Sequence, residues 1–124
     1  MNWLREERRG RRSSARHEAL RYQLEAARDR GRLEALVLAD DGGILVSSAG
    51  ESGVCEELAA IGPLMARAPL GMPLPPLLRG GEVAVRPIHL HGQDLFLVAL
   101  GGNVARDALL NHSTQGVHRI LSAN

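Results

Sequence analysis

The sequence predicts an α+β domain: an antiparallel sheet of four to five strands with helices on both faces. Three observations carry this. The apolar run Leu33-Glu34-Ala35-Leu36-Val37-Leu38-Ala39-Asp40 is broken by Asp41-Gly42-Gly43 and followed by a second run, Ile44-Leu45-Val46-Ser47-Ser48. This is a hairpin pattern, because Asp-Gly accepts the positive φ angles of a two-residue turn. Secondly, apolar residues fall on both parities of each strand, Val37 beside Leu36 and Leu38, Leu45 beside Ile44 and Val46. A strand with one wet face would alternate, so the hairpin is covered on both sides. Thirdly, consecutive strands joined by short turns pair antiparallel, which excludes a doubly wound parallel sheet.

Residues 1–12 are rich in Arg and Glu and are interrupted by Gly10, which reads as a basic flexible arm preceding a domain over 13–124. Ser13 or Ser14 can cap a helix running to about Arg30, with Gly31 as its stop. Its apolar positions, Ala15, Leu20, Leu24 and Ala27, form a narrow stripe suited to a surface helix.

After the hairpin, a helix begins near Ser52. Val54, Leu58, Ile61, Met65 and Ala68 step by four and three, giving one bulky stripe. Cys55, Ala59, Gly62 and Ala66 form a second stripe of small residues beside it. The bulky side suits the sheet, and the small side lets another helix approach closely. Pro63 removes a backbone donor and should kink or split the helix.

Residues 69–80 are rich in Pro and Leu and cannot be a central strand. Whether they supply a fifth, edge strand stays open. Pro73-x-x-Pro76 has the minimal spacing of a polyproline ligand, but a rigid loop is the favoured reading. Residues 82–91 read as a strand with Pro87 at an edge or bulge, because the apolar register changes from Val83/Val85 to Ile88/Leu90. Gly92-Gln93 turns the chain into a strand over 94–100, apolar on both faces. Asn103 can cap a last helix that buries Leu109, Leu110, Val117, Ile120 and Leu121.

Composition narrows function. Trp3, Tyr22 and Phe96 are the only aromatics, leaving few anchors for stacking on bases or sugars. All 15 basic residues are arginine, which fits the codon bias of a GC-rich genome. Residues 1–32 hold ten arginines against five acids, a net of +5, and the remainder five against nine, a net of −4. Such a basic segment can attract nucleic acid, an anionic membrane or an acidic protein; a solvated tail or a protein contact is favoured. One cysteine, Cys55, cannot form an internal disulfide, which fits a reducing cytoplasm. No apolar run approaches the roughly 18–20 residues of a membrane span.

No constellation of catalytic residues emerges. His89 and His91 share a strand face, but no third metal ligand is identifiable from spacing. Cys55 near a helix start could have a lowered pKa, yet it lacks a base and an orienting group. Asp40-Asp41-Gly42-Gly43 is turn chemistry rather than a calcium loop, which spaces its oxygen ligands over about twelve residues. There is no Walker A loop, no Gly-x-Gly-x-x-Gly, and no interleaving of basic and aromatic residues. The expectation is a non-enzymatic protein with no cofactor and no metal.

The element order, the Ala-Leu-Val-Leu-Ala-Asp-Asp-Gly-Gly-Ile-Leu-Val-Ser-Ser hairpin and the Glu-Glu-Leu-Ala-Ala helix resemble the roadblock (dynein light chain) family over residues 14–122. The resemblance implies a profilin-like α-β-β-α-β-β-β-α order, with the first and last helices on one face of the sheet and the second on the other. It further implies a homodimer through the second helix and the neighbouring strand, and a role scaffolding or regulating a small Ras-like GTPase. Bacterial relatives include a gliding-motility polarity regulator that acts on its partner GTPase. Carried over to this chain, the interface would use Cys55, Ala59, Gly62 and Ala66, with Val83 and Val85 on the adjoining strand. Two other classes compete: a GAF- or PAS-like sensory domain holding a ligand, and a DNA-binding protein led by its arginine arm.

Overall fold

The computed structural model describes residues 3–67, 78, 82–102 and 106–122, with side chains from Ser14 onward. Seven elements follow in order: α1 (Trp3–Gly31), β1 (Leu33–Asp40), β2 (Leu45–Ala49), α2 (Ser52–Arg67), β3 (Val83–Leu90), β4 (Gln93–Gly101) and α3 (Arg106–Ser122). The four strands form one sheet in the order β2-β1-β4-β3, with every neighbouring pair antiparallel. Each hairpin contributes one central strand and one edge. The central strands β1 and β4 are buried almost throughout, which explains their unbroken apolar runs.

Side chains of alternate parity feed two separate cores. Leu36, Leu38, Ile88, Leu95, Leu97 and Ala99 pack against Leu20, Leu24 and Ala27 of α1 and Leu110 and Val117 of α3. On the opposite face, Ala35, Val37, Ala39, Phe96, Val98 and Leu100 pack against Val54, Cys55, Leu58, Ala59 and Ile61 of α2. The helix placement implied by the family resemblance is therefore the observed one. Residues 69–77, 79 and 80 lie outside the described residues, as does Asn103; Leu78 is fully buried in the α2-side core.

The local differences from expectation have physical causes. The first hairpin turn spans three residues rather than two. Gly43 N donates to the Asp40 carbonyl at 3.1 Å, Asp40 N donates to the Ile44 carbonyl at 3.0 Å, and Gly43, not Gly42, takes the positive φ of 80°. This is a type I turn closed by a glycine bulge. Asp40 Oδ1 accepts from Gly42 N at 2.9 Å and Ile44 N at 3.0 Å, satisfying the turn's own amides. The second turn is His91-Gly92, with φ of 51° and 76°, a two-residue hairpin.

No bulge interrupts β3 at Arg86-Pro87: the β3–β4 register runs unshifted from Val83↔Leu100 to Leu90↔Gln93. The apparent register change arises because β3 feeds both cores, with Val83 and Val85 on the α2 face and Ala84 and Ile88 on the other. Gly101 N donates to the Glu82 carbonyl at 2.8 Å, fixing the parity of the ladder. That parity turns the backbone of residue 87 away from β4, where a missing N–H costs no ladder bond.

Helix α1 starts ten positions before the expected Ser13 cap and runs unbroken, as the high helix propensity of Arg and Glu permits. Helix α2 is not split at Pro63 and continues to Arg67. Gly31 is more than a helix stop: a Cβ there would lie 2.2 Å from Leu109 Cδ2, so it marks the close approach of α3 to α1.

Candidate interaction surface

The residues expected at a partner interface divide into two groups. Cys55, Ala59 and Gly62 are turned onto the chain's own sheet: Cys55 is fully buried, Ala59 nearly so, and both belong to the α2-side core. A Cβ at Gly62 would lie 2.4 Å from Val98 Cγ2, so this glycine sets how closely α2 approaches β4. Ala35 and Ala39 meet this helix from β1. Small residues on both partners let α2 sit deep in the sheet, and the bulky and small stripes are both spent there. Ala66 is exposed at the end of α2, and Val83 and Val85 are half-buried on β3, packed against the α2-side core.

The outward ridge of α2 is a different set. Glu56, Ala60, Leu64 and Arg67 are exposed, and Gly53 and Glu57 are half-buried. Gly53 and Ala60 recur at a spacing of seven, so the centre of this ridge is small. Leu64 beside them is 49% exposed, one of three exposed large apolar residues among those described. Another, Ile44, follows Gly43 in the hairpin turn, and that turn packs against Ala60: a Cβ on Gly43 would stand 3.2 Å from Ala60 Cα. Among the described residues Glu57 Oε2 is buried and has no hydrogen-bond partner. The seven-residue recurrence of Gly53 and Ala60 was present in the sequence, but only the burial of Cys55, Ala59 and Gly62 tells the two small stripes apart.

The other candidates carry little chemistry. Burial raises the Cys55 thiol above its ordinary pKa, partly offset by its hydrogen bond with Ser48, so it stays protonated and weakly nucleophilic at neutral pH. His91 lies in the hairpin turn rather than on the strand, and His89 Nδ1 sits 2.8 Å from Asp94 Oδ1 on the surface. Among the described residues no group of three or more His, Cys, Asp or Glu side chains could hold a metal ion. No helix among them is long and apolar enough to cross a membrane. On the far side of β3, Arg86 donates to Asp107 at 2.9 Å and to Asn111 at 3.4 Å, and Arg106 donates to Glu82 at 3.0 Å. These pairs tie the edge strand to α3.

A four-stranded antiparallel sheet with two helices on one face and one on the other defines a roadblock-like α+β fold. Solved structures of MglB share it. The chain matches Myxococcus xanthus MglB at a TM-score of 0.51 with 14% identity, over 85% of this chain and 89% of that one. It matches the gliding protein MglB from Thermus thermophilus at 0.59 and 14% identity, over 86% and 90%. An MglB with a tetrameric arrangement matches at 0.60 and 14% identity, again over 86% and 90%. At this identity the likeness establishes the fold. No protein-family model matches the sequence, nor does any curated protein sequence.

Proposed function

We propose that this chain is a non-enzymatic roadblock-type interaction module, self-associating through α2 and binding a small Ras-like GTPase in the cytoplasm. The outer ridge of α2 carries the reading. If two copies pack this helix antiparallel about a two-fold axis centred between Ala60 and Leu64, Ala60 of each meets Leu64 of the other. The same register sets Glu57 of each copy opposite Arg67 of the other, so opposite charges meet across the contact. Such an isologous contact needs complementarity within one patch, and this ridge is acidic at its first half, apolar at its centre and basic at its end. Val83 and Val85, half-buried on β3, and Ala66, exposed at the end of α2, would extend the contact. Cys55, Ala59 and Gly62 support it from beneath by seating the helix.

The GTPase part rests on the shared fold with MglB together with the family resemblance of the hairpin and helix. The mechanism is differential binding of the GTPase's nucleotide states, with no group transferred by this chain. A tenfold preference for one state corresponds to about 1.4 kcal/mol. Affinity capture from the native cell, with GDP and a non-hydrolysable GTP analogue supplied in parallel, tests it. A small GTPase retained in only one nucleotide state is the expected result. Equal retention in both states removes the switching role, and no GTPase in either removes the GTPase altogether.

A further inference from the structure

Three large apolar residues are exposed among those described: Tyr22 on α1, Ile44 and Leu64. The last two flank one small residue of α2. Leu64 stands one helical turn after Ala60. From the other direction, the first hairpin turn presses on Ala60: a Cβ on Gly43 would stand 3.2 Å from its Cα and 3.4 Å from the Ala59 carbonyl oxygen. Ile44 follows Gly43 directly and is 65% exposed. Ile44, Ala60 and Leu64 are thus brought to one apolar patch drawn from two elements.

The turn holds Ile44 still. Its amide donates to Asp40 Oδ1 at 3.0 Å, and its carbonyl accepts from Asp40 N at 3.0 Å. Both backbone groups of Ile44 are therefore fixed, and the positive φ of Gly43 lays the turn against α2. Exposed turn positions ordinarily hold Gly, Pro, Asn, Asp or Ser. An isoleucine there leaves apolar area in water whose burial is favourable. A side chain presented on fixed backbone also loses little freedom on association, which suits it to anchor a contact.

We propose that the first hairpin turn is a second element of the self-association surface, with Ile44 as its anchor and a second copy of this chain as its occupant. This rests on the α2 contact proposed above, in which Ala60 of each copy meets Leu64 of the other. Ile44 stands beside Ala60, so in that register it flanks Leu64 of the other copy. The two-fold axis repeats the contact, and Ile44, Ala60 and Leu64 of both copies close one apolar cluster beside the axis. Continuity decides the occupant: Ala60 joins the turn to the ridge, so a copy seated on the ridge is in reach of Ile44. Asp40 is a positioning residue, acting through the Ile44 backbone that it holds.

The experiment is sedimentation equilibrium of the full chain and its variants, each checked for folding by circular dichroism. Ile44→Ser should raise the dissociation constant of the dimer about tenfold. Ile44→Leu, which keeps the apolar bulk, should stay close to the native value. Asp40→Ala, which frees the turn, should weaken the dimer by less than Ile44→Ser does. A cross-link gives a second readout: Ile44→Cys chains mixed with Leu64→Cys chains and mildly oxidised should form a disulfide-linked pair. The only native cysteine, Cys55, is fully buried and stays out of this reaction. Leu64→Glu separates the two readings, because it should abolish the dimer whether or not Ile44 takes part. A dimer lost in Leu64→Glu but unchanged in Ile44→Ser, with no cross-linked pair, would overturn the proposal and leave the α2 contact standing. A dimer that survives Leu64→Glu, or a native chain that is monomeric at every concentration, removes the α2 contact and this proposal with it.

Discussion

On one face of the sheet, two helices cover Leu36, Leu38, Leu95 and Leu97; on the other, among the described residues, α2 and Leu78 cover Val37, Phe96, Val98 and Leu100. Strands lie about 4.8 Å apart, so four of them span roughly 19 Å. Helices pack 8–10 Å apart, so two of them match that width and one covers about half of it. The α1/α3 side is therefore closed within the chain. The α2 side leaves Val83 and Val85 half-buried and Leu64 open to solvent. The proposed assembly surface lies on this face, with fewer helices among the described residues.

The contrast can be broken by mutation, starting with the closed face. Leu24→Ala removes a fully buried side chain between α1 and the sheet and should cost about 2–5 kcal/mol in urea unfolding, without a new partner contact to lose. Gly62→Ala drives a methyl into Val98 and should cost about 1–3 kcal/mol. If α2 is seated by this glycine, Val98→Ala should restore part of the loss in the double variant. Full additivity of the two substitutions would mean that the helix is not held there. Arg86→Ala breaks the ties to Asp107 and Asn111 at the edge of the closed face. Because those partners are exposed, about 0.5–1 kcal/mol is expected in a thermal melt.

The smallest effect concerns pH. The Cys55 thiol is raised by burial, so the folded chain holds its proton after the unfolded chain has begun to lose it. Its contribution to stability is present below the ordinary thiol pKa and is lost as the pH rises from there through the folded value. A shallow alkaline loss of stability is expected, and Cys55→Ser should flatten it. An equal slope in both proteins would assign the effect to other groups.

Much of this architecture was legible in residues 33–61 and 94–100. Apolar residues on both parities of β1 and β4 required two covered faces, and the stepping of Val54, Leu58 and Ile61 required a helix on one of them. What the pattern could not do was orient α2. A helix buried over more than half its circumference shows two apolar stripes, and periodicity does not say whether the second meets the sheet or another chain. Cys55, Ala59 and Gly62 look like a helix-pairing stripe for that reason, although Val98 occupies the space above Gly62. The same ambiguity made Val83/Val85 followed by Ile88/Leu90 resemble a bulge, when β3 was supplying both cores. The turn was misplaced by one residue because Gly42 and Gly43 both tolerate positive φ, and the Asp40 side chain settles which of them uses it.

The most direct test of the proposed α2 contact is the mass in solution of Leu64→Glu beside the native chain, by sedimentation. In the proposed contact a charge at Leu64 falls beside the two-fold axis, against Ala60 of the other copy, while in the single chain Leu64 is exposed. A native dimer reduced to a monomer with an unchanged circular dichroism spectrum is the result expected. A dimer that survives the substitution intact would contradict the assignment of the outer ridge of α2 as the assembly surface.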